Sequence, residues 1–175
     1  MKARARFTVA SMLFVAITIS TAEASTGSDQ ARETLREIQR SASKAADAAD
    51  SLRQFADRFS VESQYDKLMA VRDDINRMGK DISNLQAESG LTPWEKQAVD
   101  RVDALLTDAA KDAQDAINFF NENRVDLWEG QYRGYVDGVY QGSEHIAATL
   151  KEYLKYAKAH DQEEQLQESL KVTGE

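Results

Sequence analysis

Apolar residues along most of this chain recur at alternating intervals of four and three. Ala31, Leu35, Ile38, Ala42, Ala45, Ala49, Leu52, Ala56 and Phe59 keep that rhythm without a slip, the period of a helix that buries one stripe. The spacing predicts a first helix from about Ser28 to Phe59, with a heptad seam of the coiled-coil kind and a narrow waist at Ala42, Ala45 and Ala49. A second helix is predicted from about Val61 to Glu88. It turns Tyr65, Leu68, Val71, Ile75, Met78, Ile82 and Leu85 inward and ends at Gly90 as a left-handed cap. The turn between them, around Phe59 to Val61, rests only on the loss of phase at Ser63 and Asp66, because neither glycine nor proline marks it.

Leu91 to Glu95 carries the strongest local signal. Thr92 suits an N-cap, Pro93 the first helical position, and Glu95 stands three residues after the cap to close a capping box. A third helix starts there, and Val102, Leu105, Leu106, Ala109, Ala113, Ala116, Ile117 and Phe120 continue it to about Asn121. Asn121-Glu122-Asn123 then breaks the phase with residues that tolerate turns. A fourth helix is expected from Arg124 to about His160, where Lys151, Lys155 and Lys158 suit the negative end of a helix dipole. Asp161 to Glu175 is an acidic, glutamine-rich tail, expected to be frayed helix or disorder.

Helices of roughly 32, 28, 29 and 37 residues span roughly 48, 42, 44 and 55 Å at 1.5 Å per residue. Matched lengths with short links predict an all-α fold, an up-down-up-down four-helix bundle over residues 25–160. The fourth helix holds four of the chain's 8 glycines, Gly130, Gly134, Gly138 and Gly142, in one row. Each glycine in a helix costs about 1 kcal/mol relative to alanine, so close approach of another backbone is the expected compensation. Counting depth from Phe59 on the first helix and Arg124 on the fourth pairs Ala49 with Gly134, Ala45 with Gly138 and Ala42 with Gly142. The row Tyr132, Val136 and Tyr140 would then point away from the glycines, as groove filling or as a partner surface. The same count gathers Phe55, Phe59, Tyr65, Phe119, Phe120 and Trp128 at one end and sets Trp94 at the other, near Leu35, Leu85, Tyr153 and Tyr156. Both clusters read as core filling.

The first residues change the picture of where the chain works. Lys2, Arg4 and Arg6, the apolar run Phe7 to Ile19 and the small-x-small triplet Ala22-Glu23-Ala24 form the pattern of a secretory signal. Cleavage after Ala24 is expected, with residues 1–24 as leader. The apolar run falls short of the about 20 residues that span a bilayer, so no stable membrane insertion is expected after cleavage. The product would be periplasmic or secreted.

The leader takes with it Lys2, Arg4, Arg6 and Glu23, so the formal charge of −8 deepens by two. Such acidity disfavours nucleic acid as a partner. The absence of cysteine excludes thiol catalysis and cysteine-ligated metal. His145 and His160 lack the glutamate three residues earlier that a di-iron bundle needs. Asp108, Asp112 and Asp115 share a face with Lys111 and read as hydrated surface. No catalytic, cofactor-binding or metal-ligating residue is assigned, and no cofactor is expected.

Gly134-Tyr135-Val136-Asp137-Gly138-Val139 resembles the Gly-Tyr-x-x-Gly-Val helix of a family of small secreted immunity-type proteins. The resemblance covers six residues, and the cysteines typical of that family are absent. The expectation from sequence is a non-enzymatic exported protein that binds or scaffolds, with a protein partner or self-association through the Gly130/Gly134/Gly138/Gly142 face. A metal-dependent enzyme stands last.

Overall fold

The computed structural model describes residues 22–55, 60–124 and 130–172. They form four helices, α1 (Ala22–Phe55), α2 (Val61–Ala87), α3 (Pro93–Glu122) and α4 (Gly130–Val172), and no strand occurs among the described residues. Each helix packs on the next, and α4 returns to close against α1. The result is an all-helical bundle around one core. Arg32, early in α1, reaches Asp161 late in α4, while Arg53, late in α1, reaches Asp137 early in α4. These two helices therefore run antiparallel.

The seam of α1 is buried as its period predicts: Ala31, Leu35, Ile38, Ala42, Ala45, Ala49 and Leu52 are all at most 1% exposed. Leu35, Ile38 and Leu52 each contribute about 1.5–3 kcal/mol on full burial, and the alanines between them let neighbouring helices come close. Ala56 and Phe59, and the leader up to residue 21, lie outside the described residues. α1 is described from Ala22, so it includes the expected cleavage site, and a cut after Ala24 would leave Ser25–Phe55 of the described helix.

The link to α2 has a signal that phase loss alone does not reveal. Ser60 is the N-cap, its Oγ accepting a hydrogen bond from the Ser63 amide at 3.2 Å. On α2 the expected inward row holds from Leu68 to Leu85, but Gln64 is buried where Tyr65 was expected, and Tyr65 is 40% exposed. Gly90 does not adopt a left-handed conformation. The helix stops because Glu88 turns extended, at φ −76° and ψ 130°, and its amide reaches back to the Leu85 carbonyl.

α3 starts with the capping box that Thr92 and Glu95 predict, with Pro93 at the first turn. It ends at Asn123, whose amide and side chain both donate to the Phe119 carbonyl, at 2.9 and 3.2 Å. The inward row of α3 is buried apart from half-buried Leu105, and Ala98, Val99 and Phe119 join it.

α4 departs most from expectation. It is described from Gly130 rather than Arg124 and runs past His160 to Val172, so most of the expected tail is helix and Lys151, Lys155 and Lys158 are not at its end. Leu166 and Leu170 remain largely exposed on that extension. Its buried face is Tyr132, Val136, Val139, Ser143, Ile146 and Leu150, a regular seam of fours and threes. Tyr132 and Val136 of the row are thus inside, and Tyr140 is half-buried. Gly130 and Gly134 are exposed, with nothing within 4 Å of where a Cβ would stand, while Gly138 and Gly142 rest on Asp112 and Ala109 of α3.

The expected pairing of the glycine row with the alanines of α1 is therefore corrected twice. The nearest side chains belong to α3, and the register differs. Arg53 reaches Asp137 and lies over Tyr140, which displaces α4 by roughly two turns from a count begun at Arg124. The physical reason is area: a seam containing Tyr132, Val136, Val139, Ile146 and Leu150 withdraws far more apolar surface from water than a row of glycines.

Candidate functional site

Both aromatic ends carry clefts: one of about 360 Å³ is lined by Val61, Glu62, Tyr65, Asp66, Phe120 and Arg124, and two more lie around Trp94 at the other end. At the first end Tyr65 meets Phe120 with ring centroids 5.6 Å apart, and Phe119 stacks on Tyr132 at 6.0 Å. Phe59, Trp128 and the side chain of Phe55, also expected there, lie outside the described residues. Tyr132 was expected on the opposite face and instead completes this cluster. Its burial pushes the phenol pKa up.

The Trp94 end is organised by the capping box. Glu95 is fully buried, and its Oε2 accepts from the Thr92 amide at 2.7 Å and the Thr92 hydroxyl at 2.8 Å. Its Oε1 accepts from the Ser28 hydroxyl of α1 at 2.8 Å and stands 3.6 Å from Arg32 Nε. A residue recognisable from sequence as a local cap is thus also the hub that ties α1 to the start of α3. Arg32 in turn donates to Asp161 of α4 at 2.6 Å and lies over the Trp94 ring, 5.5 Å from its centroid. One arginine gathers three helices.

Trp94, held between Pro93 and this buried glutamate, cannot drift from the α3 entrance. It is half-buried, packs against the core, and borders two adjoining clefts. The larger, about 440 Å³, lies between α3 and α4 and is lined by Pro93, Trp94, Gln97, Glu152, Tyr153 and Tyr156. Glu152, Tyr153 and Tyr156 stand within about one turn of each other on α4, and Gln97 follows Trp94 by three. The smaller, about 330 Å³, shares Trp94 and Tyr156 and is lined further by Arg32, His160, Asp161 and Glu164. Tyr156 is 55% exposed, so its ring is available to a visitor.

His160, Asp161 and Glu164 have donor atoms within 4.8 Å of one another. Asp161, however, is engaged by Arg32, and His160 and Glu164 sit on exposed surface. His145 is exposed.

The acidic face of α3 is not uniformly hydrated. Asp115 pairs with Lys111 at 2.8 Å, but Asp112 is half-buried against Gly138, where a Cβ would come within 2.6 Å of its Cγ. Burial raises the Asp112 pKa, with Lys111 opposing and Asp115 and Asp108 adding to the rise. A carboxyl whose folded pKa is raised favours folding below its unfolded pKa, and that contribution is lost as pH rises through the folded value. Asp112→Asn should therefore raise the melting temperature at pH 7, with the gain vanishing below about pH 3.9, the ordinary Asp value. A variant as stable as the parent at both pH values would show that the carboxyl is fully hydrated.

The class defined by these features is an all-helical bundle with its most aromatic cleft at the Trp94 end, and no described helix is long and apolar enough to cross a membrane. No family model, curated protein or solved structure matches the chain.

Proposed function

We propose that this is an exported, non-enzymatic protein, an up-down-up-down four-helix bundle that acts by binding, with the Trp94 cleft as its working surface. One observation carries the reading: three aromatic side chains, an amide and a carboxylate line one open cleft, and Trp94 in that lining is followed in the chain by the fully buried Glu95. Rigid aromatic walls with a few fixed polar groups are the chemistry of recognition. Tyr132 and Val136, the surface that the sequence suggested, are in the core.

The test uses the mature chain, residues 25–175, immobilised beside its Trp94→Ala and Tyr156→Ala variants and exposed to the exported fraction of its own cells. The expected result is a species retained by the parent and lost by both folded variants. Equal retention by all three would remove the cleft from the function. Export itself is read by intact mass: the chain recovered outside the cytoplasm should begin at Ser25.

Self-association through the glycine face is the second reading, supported by the exposure of Gly130 and Gly134. Since Gly138 and Gly142 rest on α3, only half of that row is open to another subunit. Mass that stays monomeric as concentration rises would eliminate it. A metal-dependent enzyme is the third, and a metal-dependent rise in melting temperature would revive it.

A further inference from the structure

We infer that the Trp94 cleft receives an organic cation, specifically a quaternary or methylated ammonium group, an assignment that rests on reading the cleft as the working surface. Trp94, Tyr153 and Tyr156 present aromatic surface on both helices that wall the cleft. The faces of such rings are electron-rich and attract an ammonium whose methyl groups shed water easily. Glu152 adds a full negative charge to the same lining. An anion has no counter-charge there, and a neutral ligand would leave the carboxylate unused.

The adjoining cleft continues the same polarity. Asp161 and Glu164 line it, and Arg32, the one lysine or arginine lining either cleft among the described residues, is held by Asp161 at 2.6 Å and stands 3.6 Å from Glu95. Its charge is therefore balanced inside the protein. Arg32 already lies over the Trp94 ring at 5.5 Å, so this indole receives a cation within the protein itself. The volume of about 440 Å³ accommodates a trimethylammonium head with a short substituent.

Choline is the probe, and its neutral carbon isostere, 3,3-dimethylbutan-1-ol, is the control of equal shape. Binding is followed on the full mature chain through the Trp94 indole N–H resonance, with that of Trp128 as the internal reference. The expected result is a saturable shift of Trp94 by choline, with the isostere weaker by about three- to tenfold or more. Glu152→Gln and Tyr156→Ala, both at the surface and checked for unaltered helicity, should each weaken choline several-fold. Co-sedimentation with phosphatidylcholine vesicles, beside phosphatidylglycerol vesicles, distinguishes a lipid headgroup from a free ammonium compound. Equal binding of choline and isostere would overturn the cationic assignment and leave a binding cleft. No Trp94 shift with either probe would also overturn it, while the capture experiment decides separately whether the cleft binds anything.

Discussion

Glu95→Ala should lower the melting temperature by roughly 6–12 °C, corresponding to a loss of about 3 kcal/mol. The carboxylate is fully buried and accepts from the Thr92 amide, the Thr92 hydroxyl and the Ser28 hydroxyl, with Arg32 beside it. Removing it leaves three donors and part of a guanidinium facing an empty, water-poor space. The penalty is their desolvation rather than the mean worth of a hydrogen bond. Glu95→Gln keeps the shape and one acceptor, so its loss should lie between those of alanine and parent. An alanine variant that melts within about 2 °C of the parent would show that water replaces the carboxylate without cost.

The second large effect belongs to Gly142. A Cβ there would lie 2.9 Å from the Ala109 Cβ and 3.5 Å from its Cα, and neither atom can rotate away. Gly142→Leu should cost about 3 kcal/mol, the upper range of overpacking, read as a fall in the denaturant midpoint. Gly142→Ala sets a gain of about 1 kcal/mol in helix propensity against the same contact. Combining it with Ala109→Gly should therefore give a favourable coupling in a double-mutant cycle. Gly134→Ala is the contrast: nothing lies within 4 Å, so it should stabilise by about 0.5–1 kcal/mol. Destabilisation at Gly134 and tolerance at Gly142 would reverse the assignment of the row.

These two sites show what can be read from residues alone. The seams of α1, α2 and α3 are legible because Leu, Ile, Val and Ala recur at a period that only one face of a helix satisfies. The start of α3 is legible because Thr92, Pro93 and Glu95 act within one turn. Ser28, Arg32 and Asp161 are not, since pairings across 67 and 129 residues leave no periodic trace. The buried face of α4 was present in the sequence as Tyr132, Val136, Val139, Ile146 and Leu150, but Ser143 interrupts it and the glycines offered a rival stripe. Small residues signal close contact somewhere without naming the neighbour. The cleft could be anticipated only as the placement of Trp94 near Tyr153 and Tyr156. Whether bulk fills an end or lines an opening depends on distances that spacing does not encode.

The clasps of Arg32 with Asp161 and of Arg53 with Asp137 join positions 129 and 84 residues apart. Most helical bundles assemble from near neighbours, and quickly. Here the first helix keeps part of its greasy stripe uncovered until the last one has been synthesised. The core is therefore closed only by α4, and a chain cut short before it would leave the α1 and α3 surfaces that α4 covers exposed to water.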